Sequence, residues 1–146
     1  MTRKIQADRW VRWWTCYQAI TDYSLQITAE TAVDTFSIDS ELLTTERQTG
    51  RWRVFIQRAT ERYRGRLIYS TNWNHDGVPA FWGQIDMIGI HGYWDLTEGA
   101  ATDRPSLGHL TKRWKRIRKL VLSFARGRPV LFTGIGYPSL PMGTQR

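Results

Sequence analysis

The feature that most constrains this chain is a slow alternation between two hydrophobic periodicities, one cycle about every thirty residues. Apolar residues spaced three or four apart call for a helix with one buried face; short, nearly continuous apolar runs call for a strand covered by helices. The pattern predicts a helix over residues 7–31 and a strand over 34–38. A helix over 44–63, with Trp52, Phe55, Ile56 and Ala59 on one face, precedes a strand over 66–70. Residues 78–82 have room only for a short helical turn. A strand over 86–90, a helix over 107–125 closed by Gly127, and a fourth strand over 128–133 complete the series. This is the pattern of βαβ units and a parallel sheet, an α/β fold.

Neither a G-x-G-x-x-G turn nor a G-x-x-x-x-G-K-[ST] loop occurs, which counts against a nucleotide-binding doubly wound sheet. A (β/α)8 barrel usually takes about 200–250 residues. With 146 residues, residues 1–146 are expected to form a single, incomplete TIM-barrel-like domain of about four parallel strands alternating with helices. Barrel chemistry sits just past the C-terminal ends of the strands. Those ends here are Asp39-Ser40-Glu41, Thr71-Asn72-Trp73-Asn74-His75, His91-Gly92-Tyr93-Trp94 and Thr133-Gly134-Ile135-Gly136-Tyr137.

These segments hold more polar and aromatic residues than packing requires. By spacing alone Glu41 suits a first-turn helix residue behind a cap at Asp39 or Ser40 somewhat better than a general acid or base. Asn72, Asn74 and His75 are suited to hydrogen-bonding a polyhydroxylated ligand, or to forming a turn. One histidine without partners at ligand spacing does not make a metal site, and no metal or other cofactor is expected. Of eight tryptophans, Trp10, Trp13 and Trp14 share helical spacing with Tyr17 and read as core. Trp73, Trp82 and Trp94 flank strand ends, where stacking on a sugar ring and wall packing are equally open.

The formal charge is +8, concentrated in Lys112-Arg113-Trp114-Lys115-Arg116-Ile117-Arg118-Lys119. Leu110, Trp114, Ile117, Val121 and Phe124 form the apolar stripe of that helix, so the basic residues are its solvated face. No nucleic-acid reader motif accompanies them, and nucleic acid is disfavoured as a partner, though a basic binding module stays open as an alternative. Cys16 is the lone cysteine and has no disulfide partner. Without a signal-like or membrane-length apolar run, the chain as written is expected to be cytoplasmic, with no membrane partner.

In order and spacing, FSIDSELLTTE, RGRLIYSTNWNH, VPAFWGQIDMIGIHGYWDL and RPVLFTGIGYPS resemble glycoside hydrolase family 113, which includes β-mannanases and belongs to a clan of retaining TIM-barrel glycosidases. The resemblance covers roughly residues 10–140 and implies a stretch from about the third helix through the seventh strand of such a barrel. It implies that Glu41 is the acid/base and that Asn72, Trp73, Tyr93, Trp94 and Tyr137 contact a β-mannoside-like oligo- or polysaccharide. Asp39 stands where the family segment carries glycine. The last segment is similar to T-E-I-G-Y, whose glutamate is the nucleophile; here that position is Gly134.

A retaining glycosidase needs two carboxyl groups about 5–5.5 Å apart, one protonating the leaving oxygen and one attacking the anomeric carbon. Glycine cannot attack, and Asp95, Glu98 and Glu46 do not match the vacant position. The resemblance therefore implies a catalytically impaired, truncated relative of the β-mannanases, a pseudoenzyme that retains carbohydrate binding. The alternatives are an active glycosidase completed by oligomerisation through open barrel edges, and the basic binding module.

Overall fold

The computed structural model describes residues 7–74, 77–98 and 104–137. The elements follow in the order α1 (Ala7–Glu30), β1 (Thr35–Ser40), α2 (Thr49–Arg62), β2 (Arg66–Asn72), β3 (Met87–Gly92), α3 (Leu107–Ala125) and β4 (Val130–Ile135). Single 3-10 turns occupy Leu43–Thr45 and Trp82–Gln84. The four strands form one parallel sheet in the order β1-β2-β3-β4. This is the α/β arrangement expected from the sequence, four parallel strands alternating with helices.

Local chemistry explains most boundaries. Ser106 caps α3 by accepting the His109 N–H, and α3 ends through left-handed Arg126 and Gly127, a conformation glycine adopts without penalty. Gly65 ends the α2–β2 turn because any Cβ there would collide with Tyr63 and the Asp34 carbonyl. The helix expected over 44–63 is instead split. A 3-10 turn ends before Gln48, and α2 starts at Thr49. Gln48 is held by the Trp14 indole, which donates to its side-chain oxygen at 2.9 Å. The turn expected at 78–82 falls later, at Trp82–Gln84, and β4 runs two residues further than expected, taking in Gly134.

The helices pack on one face of the sheet. Leu67, Tyr69, Ile88 and Ile90 point toward them and join a core containing Trp14, Trp52, Phe55, Phe81, Ile117 and Val121. Trp52 is its hub. It meets Trp14, Phe55 and Tyr69 edge-on and Phe81 in a stacked geometry, and its indole N–H donates to Thr45 Oγ1 at 3.0 Å. Such pairs add about 0.5–1.5 kcal/mol each beyond area burial. The first-helix aromatics are core, as the spacing predicted: Trp14 is buried, and Trp10, Trp13 and Tyr17 pack against the cluster. The opposite face carries Ile68, Ser70, Asn72, Gly89, His91 and Leu131. Gly89 lets β2 and β3 close there, since a Cβ would lie 2.4 Å from Ser70 Oγ.

Candidate functional site

The C-terminal strand ends bring four residues into one row. Asn72 on β2, His91 on β3 and Gly134 on β4 are successive in-register partners. Glu41 joins them from the residue after β1. The β1–β2 register is irregular between Ser37 and Ser40. Asp39 is buried there, and its carboxylate accepts the Leu42 N–H at 3.2 Å. Glu41 then takes a left-handed conformation, φ 61°, while its N–H reaches the Ser70 carbonyl at 3.4 Å. Non-glycine residues adopt that conformation at a cost, which marks the turn as functionally interesting. Asp39, at the position where the resembled segment has glycine, thus folds back as a local cap while Glu41 turns the other way.

The Glu41 carboxylate is hydrogen-bonded to His91 Nδ1 and also to Asn72. The His91 bond does most to hold its carboxyl below the usual glutamate range; partial desolvation opposes this and the Asn72 bond adds to it. His91 was not singled out as a site residue from sequence. The available signal was its place at the end of an apolar strand, in phase with inward-facing Gly89.

Gly134 is open toward the same site. A Cβ on it would sit 3.2 Å from Tyr93 Oη and 3.4 Å from His91 Cδ2. A Cβ on Gly136 would likewise meet the Tyr93 ring at 3.1 Å. The Tyr93 ring therefore lies along the backbone of the β4 end, exposed on its other side. A carboxylate at position 134 would project into a space bordered by a phenol and an imidazole.

The remaining candidates separate by burial. Trp73 is 42% exposed, with its backbone N–H donating to the His91 carbonyl at 3.2 Å. Tyr137 is also exposed, and partial burial raises its phenol's pKa. Trp94 is 5% exposed and packs edge-on against Trp114 and Phe132; Trp82 is buried against Phe124 and Tyr69. For Trp82 and Trp94, wall packing is the geometry found. Asn74 is exposed in the turn, whereas His75 lies outside the described residues.

The other carboxylates are occupied locally. Asp95 accepts from the Thr97 N–H and hydroxyl, which lower its pKa, and Glu98 pairs with Arg113. Glu46 lies at the end of the first 3-10 turn rather than inside a helix, and accepts the Tyr69 hydroxyl at 2.8 Å. Burial, then the Asp39 and Glu46 charges, push that phenol's pKa upward. Among the described residues no cluster of three His, Cys, Asp or Glu side chains has metal-binding geometry. No described helix is long and apolar enough to cross a membrane.

Solved structures share this fold. A structure described as a complex of a GH113 β-1,4-mannanase superposes with a TM-score of 0.70 at 22% identity, over 95% of this chain and 42% of that one. The GH113 β-mannanase of Alicyclobacillus acidocaldarius in complex with ManMIm gives 0.72 at 22% identity, over 89% and 37%. A further GH113 β-1,4-mannanase structure gives 0.65 at 23% identity, over 84% and 36%. The chain thus spans about two fifths of the length of these structures, and its sheet is the corresponding segment of a TIM-barrel-like fold. No curated protein matches it. The family model for Glycoside Hydrolase Family 113 matches residues 2–145. With that match covering nearly the whole chain, and every residue of the strand-end row, the chain belongs to glycoside hydrolase family 113.

Proposed function

We propose that this chain carries a β-mannoside-type sugar site that binds its ligand but hydrolyses glycosidic bonds poorly, because Gly134 replaces the attacking carboxylate. The observation that carries this reading is the row Glu41, Asn72, His91, Gly134. A carboxylate is held at one end, and at the other a glycine opens toward Tyr93 and His91. Asn72, Trp73, Tyr93 and Tyr137 are the accessible groups around the row, giving hydrogen-bonding and stacking surface for a pyranose; Trp94 supports the wall behind them.

In a retaining reaction the nucleophile forms the bond to the anomeric carbon as the acid/base protonates the departing oxygen; water then cleaves the glycosyl-enzyme. Glycine supplies no lone pair for the first step. It also removes the negative charge that would raise the pKa of the partner carboxyl. With His91 bound to it, Glu41 rests as an anion, the form of a base rather than of an acid. Both consequences lower turnover of an unactivated glycoside.

An aryl β-mannoside with a good leaving group tests this, since its departure needs little protonation. Azide, as an external nucleophile, should form the glycosyl azide of inverted configuration and release the phenolate. Aryl release by the wild type should rise at least about tenfold with azide, and Gly134→Glu should hydrolyse faster than wild type without it. If the wild type hydrolyses as fast without azide and loses that activity on Glu41→Gln, the proposal fails.

A further inference from the structure

Among the described residues the sheet has two open edges, and each lacks what the other presents. At the β1 edge, α1 overhangs the strand. Ile20, Tyr23 and Ile27 follow one another at helical spacing along it and are all exposed, Ile20 at 64%. An open groove of about 510 Å³ runs between α1 and β1, bordered by Ile20, Ser24, Phe36 and Ser37 and continuing to His91 at the site. Among the described residues this edge has a helix in place but no strand beneath its outer half.

At the β4 edge the situation is reversed. Phe132 and Ile135 share the helix-facing side with Ile90 and Gly92, their in-register partners. Ile90 is buried, whereas Phe132 is 38% and Ile135 54% exposed. Strands inside a barrel are covered by a helix on each flank. Among the described residues β4 has α3 on one flank and no helix on the other.

The charges are complementary too. Residues 7–46, which build α1 and β1, contain seven acidic residues and two arginines, Arg9 and Arg12, both at the start of α1. Residues 104–137, which build α3 and β4, contain nine lysines and arginines and no acidic residue. Glu30 and Asp34 lie at the N-terminal end of the sheet on one edge, and Arg126 and Arg128 lie at that same end on the other. Opposite fields of this kind steer encounter and fix register. They also assign a role to the basic helix that the proposed sugar site leaves unused.

We propose that the α1–β1 edge receives the α3–β4 edge of a second copy of this chain. Four parallel strands are half of an eight-stranded barrel. Setting β1 beside β4 of the other copy keeps all strands parallel and forms the same seam twice about a two-fold axis, so the assembly closes instead of growing. It satisfies the unpaired backbone of both edges, which otherwise template aggregation. The end of the second copy's β4 then lies beside Glu41, so the strand-end row has a neighbour on its open side.

Light scattering on the 146-residue chain should give twice its 17.1 kDa mass, with association slowing as salt is raised. Ile20→Glu and Ile135→Lys each alter an exposed side chain. Each alone should weaken dimerisation at least about tenfold, leaving helical circular dichroism intact. An equimolar mixture of the two variants should recover the dimer, because the mixed pair has one wild-type seam and one Glu–Lys seam. A 17.1 kDa monomer at micromolar concentration, whose edges are then left to further βα units or another protein, overturns the proposal. So does an open-ended series of oligomers, or a mixture that stays monomeric.

Discussion

His91 hydrogen-bonds through Nδ1 to the Glu41 carboxylate, joining residues fifty positions apart and tying the end of β1 to the end of β3 across β2. The bond stabilises the carboxylate's charged form, and this sets how the site titrates.

Glu41 has a folded pKa below its ordinary value, owing first to His91 and then to Asn72, against partial desolvation. The folded state therefore binds the Glu41 proton less readily than the unfolded state. The associated stabilisation is present above the unfolded glutamate pKa and is lost as pH falls through the lower folded value. His91→Ala should move the Glu41 titration, followed by carboxyl carbon NMR, upward toward the ordinary glutamate range. An unchanged titration would show that the His91 bond does not form in solution.

Gly134→Glu should shift the same resonance upward by a different route, because a second carboxylate near Glu41 disfavours its ionisation. The new Cβ must fit 3.2 Å from Tyr93 Oη, and the exposed Tyr93 ring has room to yield by a few tenths of an ångström. The variant should fold with near wild-type urea stability and titrate Glu41 at higher pH.

Glu41 occupies left-handed backbone, φ 61°. Replacing it with glycine removes the side chain and the strain together, whereas alanine removes only the side chain. Glu41→Gly should exceed Glu41→Ala in unfolding free energy by about 1 kcal/mol. Equal stabilities would mean the turn relaxes once the carboxylate is gone.

Trp52→Ala should be the most damaging single core truncation, at about 3–5 kcal/mol by urea denaturation. It empties the centre of the aromatic cluster and leaves the buried Thr45 hydroxyl without the indole donor. Against a typical reserve of about 5–15 kcal/mol, the variant should be partly unfolded at moderate temperature.

Gly89→Ala tests the other face of the sheet. Its methyl would lie 2.4 Å from Ser70 Oγ and 3.0 Å from Ile68 Cγ2. Overpacking of this kind costs about 1–3 kcal/mol. Adding Ser70→Gly should return part of that loss, since it removes the nearest clashing atom; no recovery would place the strain in the backbone.

The sequence by itself determined the order and type of the elements. Trp52, Phe55, Ile56 and Ala59 recur at helical spacing, and the apolar runs near Leu67 and Ile88 are too short for anything but strands; local periodicity follows directly from which face must leave water. It also marked Glu41 and Gly134 as strand-end positions through that periodicity, and resemblance to a family pattern implied their roles. Tertiary structure decided what those positions face. No local signal in Ile-His-Gly says that His91 reaches Glu41, because the contact depends on the stacking order of β1, β2 and β3. Spacing likewise left Trp73 and Trp94 indistinguishable, and only the packing of α3 against β3 and β4 buried one and left the other exposed. The sequence also carried a net acidic stretch over residues 7–46 and a basic one over residues 104–137, but their complementarity has a geometric meaning only once the fold sets them on opposite edges of one sheet.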